Sequence, residues 1–120
     1  MSTFGEALAA VARRVPEAGV LIIMGTDGIP IEKLMIRPDP RMEAVAAEHT
    51  TLLRASLSAA ADTGLGPLRE LAVTTERMTT LLVAITGDYF LFASLAPGAV
   101  IGRARYALRL AGLSLRQEFE

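Results

Sequence analysis

The residue types that most often perform chemistry are sparse in this chain, and their spacing does not assemble them into a site. The chain contains one histidine, His49, and no cysteine, which excludes thiolate nucleophiles and metal sites that need several histidines or cysteines. Glu43 and Glu48 are five positions apart, so on a helix their carboxylates point in different directions instead of sharing a cleft. We therefore predict no catalytic residue, no metal site and no cofactor.

The remaining candidates also favour structural roles. Gly25 and Gly28 lie between two predicted strands, whereas a phosphate-binding glycine loop opens a helix. The threonines of residues 74–80 have no neighbouring base to activate a nucleophile. His49 falls near the sheet-facing side of a helix, where we expect a hydrogen-bonded imidazole. The arginines of the last helix can grip a phosphate, but their spacing predicts a solvated face: Arg103, Arg105, Arg109 and Arg116. The chain is therefore not predicted to be an enzyme.

The composition favours one cytoplasmic domain, residues 1–120, that binds other proteins. A net charge of −1 provides no field that would recruit nucleic acid. No apolar run approaches the roughly 20 residues that span a bilayer, and the first residues lack the pattern of a signal peptide. Hydrophobic residues make up 52% of the chain, which predicts that another subunit covers part of the surface.

The elements that position these residues follow from apolar periodicity and turn signals. Asp27-Gly28 predicts a tight hairpin with positive backbone dihedrals, Asp39-Pro40 predicts a helix start, and Gly64 predicts the end of that helix near Asp62. The elements expected from these signals are a helix over 3–15, strands over 18–25 and 29–36, a helix from 39 to 62, strands over 68–75, 78–86 and 89–95, and a closing helix.

The order is α-β-β-α-β-β-β-α. The first, fourth and fifth strands are the most apolar, so we place them in the middle of one sheet. The second and third strands carry charged residues, and we place them at the edges. The closing helix has one apolar stripe, formed by Ile101, Ala104, Leu108, Ala111, Leu115 and Phe119.

The long helix has two contrasting faces. One face is apolar and is expected to pack on the sheet; it consists of Met42, Val45, Ala46, Leu52, Leu53 and Leu57. The opposite face carries only small residues, which would let a second helix approach closely: Ala44, Ala47, Thr51, Ala55 and Ser58. The alternative is that alanine simply favours helix in an alanine-rich chain.

The third strand supports the first of these two interpretations. After Glu70 it contains neither proline nor charge, so its edge is open to pairing with another strand; the exposed segment is Leu71, Ala72, Val73 and Thr74. A twofold axis would satisfy this edge and the small helix face together, and we predict a homodimer. Arg41, Glu48 and Arg54 flank the helix face and are the predicted residues for docking a partner.

Two segments resemble the Roadblock family, which comprises the Roadblock dynein light chains and the bacterial MglB-like proteins. They are the strand–turn–strand of residues 20–36, with its Thr26-Asp27-Gly28 turn, and residues 102–110, GRARYALRL. The resemblance implies an α+β fold with a five-stranded antiparallel sheet. It places one long helix on one face and the N- and C-terminal helices on the other, and profilin-like and longin folds are near neighbours.

The resemblance also implies a function without catalysis. Family members bind or regulate Ras-like small GTPases by positioning the partner's own groups, or act as scaffolds of motor and signalling complexes. The first hypothesis is therefore a homodimeric regulator or adaptor of a bacterial small GTPase, in which an arginine finger from Arg54 is less expected than a rim salt bridge. A scaffold without nucleotide-dependent binding is the second. A small-molecule sensor with a profilin-like or PAS-like cavity is the third, and the packed aliphatic strands argue against it, so no small-molecule substrate is expected.

Overall fold

The predicted order of helices and strands is confirmed. The computed structural model describes residues 3–119. Its elements are α1 (Thr3–Arg14), β1 (Ala18–Gly25), β2 (Pro30–Met35), α2 (Met42–Asp62), β3 (Glu70–Thr74), β4 (Thr79–Ala84), β5 (Tyr89–Leu95) and α3 (Ile101–Arg116), followed by a 3₁₀ turn (Gln117–Phe119).

The strands form one antiparallel sheet in the order β2-β1-β5-β4-β3. The three apolar strands occupy the middle and the two charged strands lie at the edges, as predicted. This arrangement follows from burial, since the central strands are covered on both faces and the edge strands are only half covered. The α+β fold with its five-stranded sheet is therefore confirmed.

Helices cover both faces of the sheet. On one face, Leu8 of α1 and Leu108 of α3 pack against Leu21 and Leu91 of the central strands. On the other face, α2 packs its buried residues against the alternate positions of the same strands: Met42, Ala46 and Leu53 meet Val20, Ile22, Phe90 and Phe92. Successive strand side chains point to opposite faces, so one apolar strand serves both layers.

The β1–β2 hairpin differs from the prediction at Asp27. Within this turn only Gly28 has a positive φ, of 88°. In the described chain no residue other than glycine has a positive φ. The turn closes through a hydrogen bond from Gly28 N–H to the Gly25 carbonyl, of 3.0 Å. The Asp27 carboxylate accepts the N–H of Ile29, also at 3.0 Å. One left-handed residue after an ordinary turn, with a bulge between Ile23 and Met24, therefore reverses the chain.

The start of α2 also differs from the prediction. Asp39 forms a turn instead of capping the helix: its carboxylate accepts the N–H of Arg41 at 3.0 Å and its carbonyl accepts the N–H of Met42 at 3.1 Å. The helix begins at Met42, after an N-cap residue, Arg41, that makes no capping hydrogen bond with its side chain. Its end at Asp62 is as predicted, with Gly64 at a φ of 70°.

One residue that the periodicity assigned to the sheet-facing side of α2 does not pack there. Leu52 was predicted to pack on the sheet, but 46% of it is exposed. Thr50 is buried in its place on this side of the helix, and its hydroxyl donates to the Ala47 carbonyl one turn earlier. A polar residue can be buried here because its hydrogen bond is satisfied within the helix.

Candidate functional site

All five small residues predicted on the outer face of α2 are exposed to solvent. These five positions, the outer row, are Ala44, Ala47, Thr51, Ala55 and Ser58. The apolar residues of the opposite side hold the helix on the sheet, so the outer row faces away from it. An exposed helix face normally carries long charged side chains. This one is a shallow surface of methyl and hydroxyl groups that extends about two turns to either side of Thr51.

The β3 strand lies at one end of the sheet, and one of its edges pairs with no other strand of the described chain. Its register with β4, together with bonds from Ala84 N–H to the Arg69 carbonyl (3.0 Å) and from Thr75 N–H to the Met78 carbonyl (2.8 Å), fixes which backbone groups point inward. Alternation along an antiparallel pair leaves three residues with outward backbone groups: Glu70, Ala72 and Thr74. These groups are available for another strand.

The opposite edge of the sheet, β2, is protected. It begins with Pro30, which lacks a backbone donor, and Lys33 forms a salt bridge with Glu43 of α2 across the edge. Proline and charge are the usual obstacles to edge-to-edge pairing. The β3 edge has neither between Leu71 and Thr74, so the two edges differ in their capacity to pair.

His49 connects α2 to the part of the sheet next to β3. Its Nδ1 lies 2.7 Å from the Val45 carbonyl, and its Nε2 lies 2.7 Å from the Thr80 hydroxyl of β4. A carbonyl oxygen only accepts, so Nδ1 carries the proton and Nε2 accepts from Thr80. The ring also contacts Phe92 edge-on, with centroids 5.5 Å apart. The predicted hydrogen-bonded imidazole is confirmed.

Leu52 is exposed because it lies on the same flank of α2 as His49, beside the sheet rather than on it. The two residues are one helical turn apart and share one flank of α2. Because His49 bonds Thr80, and Thr80 pairs with Val73, this flank is directed towards β3. Leu71 and Val73 of β3 are only half buried. Together with Leu52 of α2, they leave apolar surface uncovered near the open edge.

The three charged residues predicted to dock a partner have different surroundings. The Arg41 guanidinium binds the Asp39 carboxylate through two contacts of 3.1 and 2.8 Å, and this pair lowers the pKa of Asp39 to about 2. The Arg54 Nε donates to the Thr26 carbonyl of the hairpin at 2.7 Å. Glu48 is exposed and forms no ion pair with any residue between Thr3 and Phe119.

The arginines of α3 make contacts that the sequence did not indicate. The Arg105 Nε lies 2.9 and 2.7 Å from the two carboxylate oxygens of Glu70 on β3, and Arg109 approaches the same carboxylate at 3.8 Å. Arg103 lies 3.6 Å from Glu17, and the Arg116 Nε donates to the Ile85 carbonyl at 3.2 Å. The predicted solvated face is therefore partly anchored to the sheet, because Glu70 reaches α3 from a strand 35 positions earlier.

The described residues offer surfaces that can bind other proteins. Among residues 3–119, no group of three or more His, Cys, Asp or Glu side chains is placed to hold a metal ion. Within the same range, no helix is long and apolar enough to cross a membrane. What the arrangement provides is an exposed small-residue helix face and an unpaired strand edge, and both are features that bind other protein surfaces.

One antiparallel sheet between a long helix and a helix pair defines an α+β protein in three layers. The model of the Roadblock/LC7 domain matches residues 5–96, and the chain belongs to this family. The resemblance inferred from the sequence is therefore confirmed. No curated protein sequence matches the chain.

Solved structures with the same fold include proteins named Mgl. The gliding protein MglB from Thermus thermophilus is 17% identical, with a TM-score of 0.83 over 96% of this chain and 87% of that one. MglC from Myxococcus xanthus is 26% identical, with a TM-score of 0.70 over 98% and 99% of the two chains. An MglB with a tetrameric arrangement is 15% identical, with a TM-score of 0.82 over 98% and 90%.

Proposed function

We propose that this protein is a homodimeric, non-catalytic regulator or adaptor of a bacterial Ras-like small GTPase. It acts in the cytoplasm as one domain over residues 1–120. The observations that carry the proposal are the exposed outer row of α2 and the unpaired edge of β3. Membership in the Roadblock/LC7 family and the likeness to MglB and MglC support it.

The order of residues in the outer row favours a second copy of the same chain. The row is symmetric about Thr51, since Ala47 and Ala55 are equally far from it, as are Ala44 and Ser58. When two identical helices cross antiparallel on a twofold axis, each residue faces its mirror position. An axis at Thr51 therefore opposes small residues along the whole contact, and the helix axes can approach to about 8 Å.

Charged residues border the outer row on both sides. Glu48 and Arg54 come three positions before and three after Thr51, and they lie on opposite flanks of the row. The Arg54 Nε is held by the Thr26 carbonyl, which directs this side chain towards the hairpin. Glu48 forms no ion pair within the described chain.

The β3 edge is a second self-complementary surface. It lies beside the flank of α2 that carries His49 and Leu52 and not beside the outer row. Ala72 is the central residue of the three whose backbone groups point outward, so two β3 strands can pair antiparallel around it. This pairing brings Leu52, Leu71 and Val73 of both copies towards its own axis and covers apolar surface that one chain leaves partly exposed. The GTPase docks across the resulting helix pair, on the surface rimmed by Arg41, Glu48 and Arg54.

Sedimentation analysis of single substitutions tests the dimer. Thr51→Arg places a long charge at the axis and is expected to give monomers. Ala61→Arg is the matched control, because Ala61 is exposed on the same helix but lies off the outer row, and it is expected to remain dimeric. If Thr51→Arg is dimeric at the same concentration as the parent, another surface joins the chains.

Binding of a Ras-like GTPase from the same organism, loaded with GDP or with a non-hydrolysable GTP analogue, tests regulation. A regulator is expected to prefer one nucleotide state, and Thr51→Arg should lose this binding with the dimer. Negligible affinity in both states would contradict the proposal.

An adaptor that binds its partner equally in both states is the second candidate. It is favoured by the contacts of Arg41 and Arg54, since each guanidinium is engaged by its own chain and neither is held free as an arginine finger.

A further inference from the structure

We propose a second docking surface, at the end of the sheet between α2 and α3, for an acidic segment of a partner protein with apolar anchor residues. The site is a groove at the end of the sheet where β4 turns into β5, and we call it the α3 groove. It does not depend on the dimer proposed above, because the outer row of α2 takes no part in it.

The lining of the α3 groove is largely apolar, and it continues from the α2 side of the sheet around its end to α3. The volume of the groove is about 650 Å³, which is in the range of sites that enclose a ligand. Leu53 and Leu57 of α2, with Leu82 and Phe90 of the sheet, line one part, and Leu113 of α3 lines another. Leu113 is 65% exposed, so this wall is apolar surface that the described chain leaves uncovered.

The rim of the groove is cationic. Arg69, Arg109 and Arg116 line it. Glu70 is the one acidic residue among its described lining residues, and the carboxylate of Glu70 is already bound by Arg105 at 2.9 and 2.7 Å. The groove therefore has excess positive charge although the whole chain has a net charge of −1.

The exposed side of α3 extends this pattern beyond the groove. The helix carries four arginines and no acidic residue from Ile101 to Arg116. Tyr106, Arg109, Leu113 and Arg116 follow one another at helical spacing, and Tyr106 is 61% exposed. Large apolar side chains that alternate with cations complement a segment in which apolar side chains alternate with carboxylates.

One hydrogen bond and one close packing contact fix this part of α3 before a ligand arrives. The Arg116 Nε donates to the Ile85 carbonyl at 3.2 Å, which leaves its terminal amino groups free to face the groove. Gly112 lies against β4, where an added Cβ would stand 3.4 Å from the Ala84 carbonyl oxygen. The glycine lets α3 approach the strand closely, and the bond to Ile85 reduces the side-chain freedom that Arg116 loses when a partner binds.

The shape of the groove favours a peptide segment over a membrane surface. The groove continues around the end of the sheet from α2 to α3, and a flat bilayer surface cannot follow this curve. A protein segment can place an apolar side chain against Leu113 while its carboxylates meet Arg109 and Arg116.

Fluorescence anisotropy with a synthetic peptide of alternating leucine and glutamate at helical spacing tests this proposal. The peptide is expected to bind, and the same peptide with lysine in place of glutamate is not. Arg109→Gln combined with Arg116→Gln should weaken binding by about 10-fold or more, and added salt should weaken it further. Leu113→Ser should also lower affinity, and because Leu113 is exposed this variant keeps its fold.

Two further variants provide a control and an effect of opposite sign. Arg103→Gln removes an arginine of the same helix that lies outside the lining and pairs with Glu17, and it should leave binding unchanged. Glu70→Gln releases Arg105 and Arg109 from their shared carboxylate, and it should tighten binding by about 2- to 5-fold. Circular dichroism of each variant checks that the fold is retained.

Several results would overturn the proposal. Equal binding of the glutamate and lysine peptides would show that charge does not select the ligand, and unchanged binding in the Arg109/Arg116 variant would place the peptide elsewhere. Arginine-dependent binding to phosphatidylserine vesicles without binding of the peptide would assign the surface to a membrane. All α3 variants are expected to remain dimeric, so a failure here is distinct from a failure of the dimer.

Discussion

The two helices that cover opposite faces of the sheet differ in how completely this chain buries them. α2 has 21 residues and four buried positions, whereas α3 has 16 residues and six. A helix in a globular protein is held mainly by the apolar face that it packs. The longer helix is therefore the one with the weaker support from its own chain, which is the expected condition of an element completed by a partner.

The outer faces of the same helices indicate partners of different kinds. The outer row of α2 is small and uncharged, and it suits close contact with an identical helix. The outer side of α3 combines exposed Tyr106 and Leu113 with arginines, and it suits an acidic segment. A protein with both surfaces can join its own copy on one face of the sheet while it holds a second partner on the other, as an adaptor must.

The largest expected effect in this comparison comes from removing one buried leucine from each helix. Leu108 of α3 is 0% exposed and Leu53 of α2 is 5% exposed, and either change to alanine should lower the free energy of unfolding by about 2–5 kcal/mol. Only Leu53→Ala should also raise the dimer dissociation constant, since it loosens the helix that carries the outer row. Urea denaturation and sedimentation measure the two quantities.

Leu108→Ala is the matched control for that experiment. If both variants weaken the dimer equally, the two helices are coupled to self-association to the same degree and the contrast between them is wrong. If neither variant weakens the dimer, the packing of α2 on the sheet does not affect self-association.

A smaller effect is expected from the polar link between α2 and the sheet. His49→Phe keeps a ring against Phe92 but removes the hydrogen bonds to Thr80 and Val45, so it should cost about 1–3 kcal/mol of unfolding free energy. Nitrogen NMR of the parent imidazole should show the proton on Nδ1.

Thr50→Val is the control for the polar link. Thr50 is also buried on α2, but its hydroxyl bonds only its own helix, so its loss should cost less. A larger cost for Thr50→Val than for His49→Phe would mean that His49 does not hold α2 in place.

Most of the fold was predictable because burial imposes simple periods on sequence. The apolar strands and the outer row follow from two- and 3.6-residue repeats, which depend only on which side of an element is covered. The start of α2 was not predictable in the same way. An aspartate that accepts a backbone N–H signals both a helix cap and the turn that Asp39 forms before Arg41, so the two cannot be told apart locally.

The contacts of the candidate surfaces join residues that are far apart in the sequence, and local periodicity does not predict such contacts. Glu70 and Arg105 are 35 positions apart, and their pairing requires the sheet register and the position of α3 together. Leu52 was assigned to the core because an apolar residue at that angle fits either the sheet or an absent subunit. The site residues of the dimer and its rim stay predictions until association is measured.

The smallest expected effect concerns the ion pairs at the ends of the two helices. The Arg41 guanidinium lowers the pKa of Asp39 from 3.8 to about 2, mainly through the side-chain hydrogen bond. This carboxylate therefore contributes stability above pH 3.8, and the contribution is lost as the pH falls through about 2. Arg41→Gln should return the pKa of Asp39 towards 3.8 in an NMR titration and leave Glu43, whose pKa is lowered by Lys33, unchanged. An unchanged Asp39 would show that this pair does not form in solution, and the exposed end of α2 would then contrast still more with the Glu70–Arg105 pair that anchors α3.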